Sequence, residues 1–328
     1  MRAVVVRAFG EPPSVEEAPQ PEPGPGQVLI QVHAVGVNFS DTLVIAGSYQ
    51  TRPPLPFSPG KGISGLVAAV GDGVSSAMLG DRVVAFIEYG GYAEYALAPA
   101  CNVYPLSETI SFVEAAAIGS AAQAAHFVLV DRLAIQPGET VLVTGASGVV
   151  GLAAIELAKV FGARALAGVR SRDSAVFALA SGADGIVDIA RENLREGLRE
   201  QVHTLTDSHG ADCIVEMLGG DVFDAAVRAL AWRGRLAIVG FASGRIPTLK
   251  MNYPLLKNIT VTGLQWSDYR DREPHWVGRV QTEINGLLEA GKLRAHIGGK
   301  FQLEDIAAAL DAVTKGGTRG KIVLVPGP

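Results

Sequence analysis

Residues 139–264 alternate between short apolar runs typical of strands and longer patterns typical of helices. The apolar runs read, in order, VLVTG, RALAGV, DGIVD, DCIVEML, GRLAIVG and NITVTGL. Strands that are joined by helical crossovers lie parallel, because each crossover returns the chain to the same end of the sheet. The sequence therefore predicts an α/β fold built on a doubly wound parallel sheet of six strands.

The first of these strands runs into a glycine-rich turn, VTGASGVVG, which opens the helical pattern LAAIELAK. Glycines in such a turn permit a tight bend, close approach of a pyrophosphate and close packing of the helix, although Ala146 stands where the fingerprint has its first glycine. The start of the helix offers free amides to phosphate. The alternative is an empty Rossmann-like turn, but the context favours a dinucleotide site formed by Gly145, Ser147, Gly148, Val149, Val150 and Gly151.

The end of the second strand distinguishes between cofactors. A site for NAD usually carries an acidic residue about 20 residues beyond the glycines, and this chain instead reads AGVRSRDS. Arg170, Ser171 and Arg172 offer cationic and hydroxyl donors that suit a 2′-phosphate. We predict NADPH rather than NADH, the alternative being two solvated arginines in a loop.

Two more segments complete the predicted cofactor site of the sheet. Leu218 and Gly219 follow the fourth strand of the predicted sheet, and Gly240, Phe241 and Ala242 follow the fifth. Open α/β sheets bind ligands at the carboxyl ends of their strands. These residues are therefore cofactor candidates by topology.

The two ends of the chain have a different pattern. Short β-rich runs separated by Gly, Pro and Asp-Gly turns occupy residues 1–110, and a capping box at 111–114 starts a long connecting helix. Helical patterns follow at 277–290, ending at Gly291, and at 303–314, ending at Gly316 and Gly317, before the apolar strand KIVLV. We place this tail with the N-terminal segment, so that one domain holds residues 1–120 and 265–328 and the other holds 121–264.

Composition excludes several classes of protein. The formal net charge is −5 and no run is rich in Lys or Arg, so we expect no nucleic-acid partner. Cys101 and Cys213 are far apart and cannot form a disulfide framework or a cysteine-rich zinc site. We expect no signal peptide, no membrane-spanning run of about 18 apolar residues and a cytoplasmic location.

Five segments resemble the medium-chain dehydrogenase/reductase superfamily and stand in its order: AVGVNFSDTLVIAGSY, PPLPFSPGKGISGLVAAVG, GDRVVAF, VLVTGASGVVG and NYPLLKNITVTGLQW. The chain is similar over nearly its full length to the zinc-independent quinone oxidoreductase, or zeta-crystallin-like, branch. The resemblance implies a GroES-like β-rich catalytic domain made from both chain ends, a central Rossmann domain and NADPH between the two.

The resemblance also bears on zinc. In the zinc enzymes of the superfamily a cysteine occupies the position of Asn38 and a histidine that of Lys61, and neither residue present here suits zinc. We therefore expect no metal. Two positions depart from the branch itself: Gly62 stands where relatives often have glutamate, and Ser174 where they often have a lysine for the 2′-phosphate.

The resemblance further implies that Asn38, Asp41 and Tyr49 lie around the nicotinamide and the substrate, with Asn38 also contacting the cofactor. The alternatives are loop-capping roles for Asn38 and Asp41 and a half-buried core position for Tyr49. Trp266 and Lys321 are further cofactor candidates by resemblance, against a domain-junction aromatic and a solvated strand-edge lysine.

These observations predict an NADPH-dependent, zinc-independent reductase of quinones or other conjugated carbonyl compounds. An enoyl- or acrylate-type alkene reductase uses the same hydride donor and remains an alternative, as does a non-catalytic, nucleotide-binding crystallin-like or RNA-binding protein. The apolar strand NITVTGL would lie at a sheet edge, so we also predict a homodimer that pairs two such edges.

Overall fold

The computed structural model describes residues 1–315 and 318–327. The chain divides into two compact units, Met1–Ser120 with Ser267–Pro328, and Ala121–Trp266. The N-terminal segment is mainly β-structure, as its short apolar runs predict. Its elements are β1 (Arg2–Val5), β2 (Ser14–Glu17), β3 (Gln27–Val37), α1 (Phe39–Ile45), β4 (Gly62–Val70), β5 (Arg82–Phe86), β6 (Tyr95–Pro99) and β7 (Val103–Pro105).

The middle of the chain begins with a long helix and continues as alternating strands and helices. The elements are α2 (Phe112–Phe127), β8 (Thr140–Thr144), α3 (Val149–Val160), β9 (Arg164–Val169), α4 (Arg172–Ala180), β10 (Gly185–Asp188), α5 (Leu194–Leu205), β11 (Ala211–Glu216), α6 (Gly220–Ala229), β12 (Leu230–Ile238), α7 (Asn252–Lys257) and β13 (Thr260–Gly263).

The carboxyl-terminal segment adds three helices and two strands: α8 (Trp266–Arg272), α9 (Pro274–Glu289), β14 (Ile297–Gln302), α10 (Ile306–Lys315) and β15 (Lys321–Val325). Helix α9 starts three residues earlier than its apolar pattern predicts, because Pro274 suits the first turn, where its missing N–H costs no hydrogen bond. Gly291 follows it with a φ of 65°. Gly316 and Gly317, the predicted end of the next helix, lie outside the described residues.

The second unit contains the predicted parallel sheet of six strands. Its strand order is β10-β9-β8-β11-β12-β13, and every neighbouring pair is parallel. The order reverses direction between β8 and β11, where open sheets of this kind bind ligands. The α/β prediction is confirmed, and the central strands β8, β9 and β11 are buried on both faces, as continuous apolar runs require.

The first unit contains a seven-stranded sheet with the order β14-β15-β3-β4-β5-β7, in which β6 also pairs with β3. The pair β3–β4 and the pair β15–β3 are antiparallel. Strand β15, at the end of the chain, therefore lies beside a strand from its beginning. This pairing brings Lys321 close to the residues that follow β3.

One helical stretch within the described residues, Phe112–Arg132, has the length and composition of a membrane span. However, 78% of its apolar window is buried inside the protein. Mostly buried apolar helices are typical of a protein core. Polar residues such as Gln123 and His126 interrupt the apolar run, so the sequence pattern alone does not indicate a helix of this composition.

Candidate active site

The glycine turn between β8 and α3 has the bend that a dinucleotide site needs. Gly145 adopts a φ of 66°, which a residue with a side chain rarely adopts. Ala146, at the position of the first fingerprint glycine, is fully buried and is not among the residues with positive φ. The left-handed residue therefore stands one position earlier than in the fingerprint, and alanine fits after it.

The start of α3 packs closely against this turn. Gly148 is exposed and caps the helix, and its N–H donates to the Gly145 carbonyl at 3.0 Å. A Cβ on Gly151 would lie 2.7 Å from the Gly145 oxygen and 2.8 Å from the Ala146 Cα, so only glycine fits there. Ser147, Val149 and Val150 are partly exposed. The free amides at the helix start are thus available to an anion.

The structure brings the other predicted cofactor residues of the second unit to the same edge of the sheet. A Cβ on Gly145 would meet the Leu218 side chain at 3.2 Å, and one on Gly219 would meet the Phe241 ring at 3.1 Å. The Ala242 N–H donates to the Met217 carbonyl at 3.0 Å. Leu218, Gly240, Phe241 and Ala242 therefore form one surface with the glycine turn at the carboxyl ends of β8, β11 and β12.

The end of β9 carries three exposed polar residues, Arg170, Ser171 and Arg172. Ser171 caps α4, and its hydroxyl accepts the Ser174 N–H at 3.2 Å. Within residues 1–315 and 318–327, neither the Arg170 nor the Arg172 guanidinium group has a hydrogen bond or ion pair. Both guanidinium groups are free to bind a phosphate. Ser174 contributes its backbone and hydroxyl to the cap, so it does not replace the lysine of related chains.

Glu216, at the end of β11, is a buried acid that sequence reasoning missed. Its carboxylate accepts hydrogen bonds from the Thr144 hydroxyl at 3.0 Å, from the Leu218 N–H at 3.0 Å and from the Gly219 N–H at 2.9 Å. Burial raises its pKa above the usual value, and these donors lower it. Glu216 therefore holds the glycine-rich ends of β8 and β11 together. The signal in the sequence is a glutamate directly after the three apolar strand residues Cys213, Ile214 and Val215.

In the first unit, Asn38 lies at the start of α1 and Asp41 lies one turn later. The Asn38 backbone N–H donates to the Asp41 carboxylate at 2.9 Å, and its side-chain amide donates to the same oxygen at 3.1 Å. The Tyr92 hydroxyl donates to that oxygen at 2.7 Å, and the Lys321 ammonium donates to the Asn38 amide oxygen. These four residues form what we call the Asn38 cluster.

Three members of the Asn38 cluster, Asp41, Tyr92 and Lys321, are buried, whereas Asn38 is partly exposed. Burial shifts the pKa values of the three buried groups. Asp41 is 1% exposed, and burial raises its pKa against the hydrogen bonds from Tyr92 and Asn38. Burial lowers the pKa of Lys321 to about 8, against the attraction of Asp41. Lys321 is therefore a buried partner of Asn38 and not a solvated strand-edge lysine. Because Asp41 is so deeply buried, its position favours orienting Asn38 over direct contact with a substrate.

Tyr49, the third predicted catalytic residue, packs beside a second set of charges. Its half-buried ring contacts an apolar cluster that includes Val44 and Phe57, and the Lys61 ammonium lies 4.7 Å from the ring centroid. Lys61 forms an ion pair with Glu88, whose other oxygen is 2.9 Å from the Arg270 guanidinium. No motif in the sequence predicts that Lys61, Glu88 and Arg270 pair with one another.

The remaining predictions concern Trp266, Gly62 and the absence of a metal. Trp266 is half-buried at the start of α8, after β13. A Cβ on Gly62 would meet the Phe86 ring at 3.8 Å and the Ser120 hydroxyl at 3.9 Å, so its missing side chain leaves room at this position. No group of three or more His, Cys, Asp or Glu side chains within the described parts of the chain is arranged to hold a metal ion. Asn38 and Lys61 are instead engaged with Lys321 and Glu88.

Comparison with families and curated proteins gives matches along the chain. A family model described as an alcohol dehydrogenase GroES-like domain matches residues 24–108, and one described as a zinc-binding dehydrogenase matches residues 149–281. A quinone oxidoreductase-like protein 2 homolog of Nematostella vectensis is 37% identical over 98% of this chain and 88% of its own length. Human quinone oxidoreductase is 33% identical over 99% of this chain and 98% of its own length.

Two solved structures with bound NADPH have the same fold. A mycobacterial protein complexed with NADPH superimposes with a TM-score of 0.92 at 30% identity, covering 99% of this chain and all of that one. Quinone oxidoreductase of Escherichia coli complexed with NADPH has a TM-score of 0.92 at 26% identity, with the same coverage. Fold similarity of this degree extends over both units of the chain.

Proposed function

We propose, since the chain belongs to the quinone oxidoreductase branch of the medium-chain dehydrogenase/reductase family, that it reduces quinones or other conjugated carbonyl compounds with NADPH. The observation that carries this proposal is similarity to quinone oxidoreductases over nearly the whole chain, at up to 37% identity. The family relationship makes the chain an oxidoreductase; the electrophile it accepts is the proposed part.

The residues present suit the proposed cofactor. The cradle of Gly145 and Gly151 has no room for a side chain, and it faces the start of α3, where amides suit a pyrophosphate. Arg170 and Arg172 are exposed and supply guanidinium groups for the phosphate that distinguishes NADPH from NADH. Leu218, Gly240, Phe241 and Ala242 would support the remainder of the cofactor from the adjacent strand ends.

When bound, NADPH supplies a hydride from its nicotinamide ring. The protein has to position an electrophilic carbon beside the donor, exclude water and stabilise the charge that develops on the carbonyl oxygen. We assign positioning to the Asn38 amide, which Asp41 and Lys321 hold in one orientation, and hydrogen bonding or packing against the substrate to Tyr49. Trp266 and Lys321 complete the proposed set of residues near the cofactor.

The experiment that tests this proposal is steady-state oxidation of NADPH by the purified protein. The panel contains benzoquinones and naphthoquinones, acyclic enones and acrylate thioesters. We expect turnover with quinones. Turnover restricted to acrylates would instead favour an alkene reductase, and NADPH binding without oxidation by any compound would favour a non-catalytic nucleotide-binding protein.

We also propose a homodimer and a cytoplasmic location. Strand β13 lies at the edge of the six-stranded sheet, and the preceding helix α7 carries Leu255 and Leu256 at 77% and 73% exposure. An exposed strand edge can pair with another chain, and exposed apolar side chains beside it mark an interaction surface. A second copy that pairs its own β13 would cover this surface by two-fold symmetry.

A further inference from the structure

The ammonium of Lys61 lies beside the ring of Tyr49, a residue that we place near the substrate. We infer that the Lys61 ammonium, fixed by Glu88 and Arg270, donates a hydrogen bond and then a proton to the oxygen of the carbonyl compound being reduced. The inference rests on the proposed function and adds a catalytic residue to it. It also assigns the proton donor of the reaction.

The backbone fixes where Lys61 starts. The preceding residue, Gly60, has a φ of 98°, and a Cβ there would lie 2.5 Å from the Tyr92 ring. The Lys61 carbonyl accepts the Ile87 N–H at 2.8 Å, which ties the residue to the end of β5 next to Glu88. Lys61 therefore enters β4 from a turn that has little freedom, and the ring of Tyr92 connects this turn to Asp41.

Glu88 pairs with Lys61 and also has a second cationic partner. One carboxylate oxygen of Glu88 pairs with Lys61, and the other pairs with Arg270, whose side chain is 5% exposed. Asp271 accepts hydrogen bonds from the same guanidinium at 2.7 and 2.9 Å. These two cations and two carboxylates balance in charge, and the set runs from the nearly buried Arg270 to Asp271, which is 56% exposed. Glu88 would still be paired by Arg270 if Lys61 became neutral.

The Lys61 ammonium retains donor capacity. An ammonium has three N–H groups, and within the described residues the ammonium of Lys61 donates a hydrogen bond to Glu88 alone. The Tyr49 ring, with its centroid 4.7 Å away, offers a π-face and not an acceptor oxygen. The side chains of Lys61 and Glu88 are 11% and 20% exposed, and the neighbouring Tyr89 is 42% exposed. The ammonium therefore keeps N–H groups that no described residue uses, and the inference assigns one of them to the substrate oxygen.

The chemistry balances with Lys61 as the donor. A hydride from NADPH forms a new C–H bond at the electrophilic carbon, and the π electrons move onto the carbonyl oxygen to give an oxyanion. The oxyanion takes a proton from Lys61, so an N–H bond breaks and an O–H bond forms. Lys61 is left as a neutral amine that water reprotonates. The substrate is reduced by two electrons, and NADPH is oxidised to NADP⁺. When the substrate is a quinone, the hydrogen newly bound to carbon then leaves to water as a proton, and the second carbonyl oxygen takes a proton from water to give the hydroquinone.

The test compares a quinone series whose reduced products differ in the acidity of their hydroxyl groups. Lys61→Met removes the charge but keeps the length of the side chain, and Lys300→Met, at an exposed lysine of β14, is the matched control. We expect Lys61→Met to lose about 100-fold in turnover with the most basic products and progressively less as the product becomes more acidic. NADPH affinity should stay within about twofold, because Lys61 is assigned to the substrate oxygen.

Lys61→Arg is the second variant, in case Lys61→Met does not fold. It keeps a positive charge beside Glu88, so we expect it to fold. Since a guanidinium does not release its proton, we expect this variant to lose at least about tenfold with the most basic products. A loss that is equal for every quinone, or rates equal to those of the unmodified protein, would overturn the inference and leave the reductase standing. An unmodified protein that reduces no quinone would overturn the proposed function and this inference with it.

Discussion

Lys321 donates a hydrogen bond to the side-chain oxygen of Asn38 across 283 residues of sequence. Lys321 is the first residue of β15, and Asn38 follows β3, its antiparallel neighbour. The contact therefore exists only when both ends of the chain share one sheet. It orients an amide that we place beside the substrate, and it puts a cation next to the buried carboxylate of Asp41.

Lys321 should make the stability of the protein depend on pH. Burial lowers its pKa in the folded protein from 10.5 to about 8. Below pH 8 both states hold the proton and the full cost of burying the charge is present. Between pH 8 and 10.5 only the unfolded chain holds it, so stability rises with pH. At about 1.4 kcal/mol per pKa unit, the full change is roughly 3 kcal/mol.

The measurement is urea unfolding of the unmodified protein and of Lys321→Met at about pH 7.5 and about pH 9.5. The free energy of unfolding of the unmodified protein, minus that of Lys321→Met, should increase from about pH 7.5 to about pH 9.5. The pKa of Tyr92 is raised well above its ordinary value and lies above this window, so the Tyr92 hydroxyl does not mask the effect. A difference that stays constant, as expected for the exposed control Lys300→Met, would show that Lys321 is not perturbed.

Gly151→Ala should damage the nucleotide-binding turn. The new Cβ would lie within 2.8 Å of Gly145 and Ala146 backbone atoms, which cannot move without opening the turn. We expect a loss of about 1–3 kcal/mol in unfolding free energy, together with weaker NADPH binding. The control is Gly286→Ala in α9, where no atom lies within 4 Å of the new Cβ and helix propensity predicts a gain of up to about 1 kcal/mol. Equal effects at the two positions would contradict this account.

Arg170→Ala should separate the two nicotinamide cofactors. Loss of a charge-assisted contact to the 2′-phosphate should weaken NADPH binding by about 1.5–3 kcal/mol and leave NADH binding almost unchanged. Calorimetric titration with both cofactors measures this directly. Arg272→Ala, at an arginine whose side chain is 79% exposed, is the control. Equal affinities of the unmodified protein for NADPH and NADH would refute the assignment of Arg170.

Leu255→Asp should prevent the proposed dimer. The side chain is 77% exposed, so the charge costs the monomer little, but it would be buried against a second copy. Light scattering should give the mass of two chains for the unmodified protein and of one chain for the variant. Val176→Asp, at a 61% exposed valine of α4, should leave the dimer intact. A single-chain mass for the unmodified protein at micromolar concentration would contradict the proposal.

The second unit could be predicted closely from sequence because its signals are local. Each strand is a continuous apolar run, and the glycine turn stands directly between a strand and a helix. The helices that join these runs make the strands parallel. Even the alanine at position 146 is explained by Gly145, its neighbour.

The first unit could be predicted only in part, because its site depends on contacts between distant segments. The buried position of Lys321 depends on the pairing of β15 with β3. The ion pair of Glu88 with Arg270 depends on the packing of α8, and neither residue stands in a motif. The buried partners of Asn38 and Lys61 have no sequence spacing in common. Pairing of charges across hundreds of residues follows from the tertiary fold, which no local pattern encodes.

The central claim is hydride transfer from NADPH to a conjugated carbonyl compound, and single-turnover kinetics test it most directly. The purified protein is loaded with NADPH or with NADPH deuterated at the transferred position of nicotinamide C4, then mixed with a quinone in stopped flow. We predict that cofactor oxidation is slower with deuterium, and that Tyr49→Phe, which keeps the ring beside Lys61, lowers the rate by about tenfold with the isotope effect intact. NADPH that stays reduced in the presence of every quinone would contradict the account.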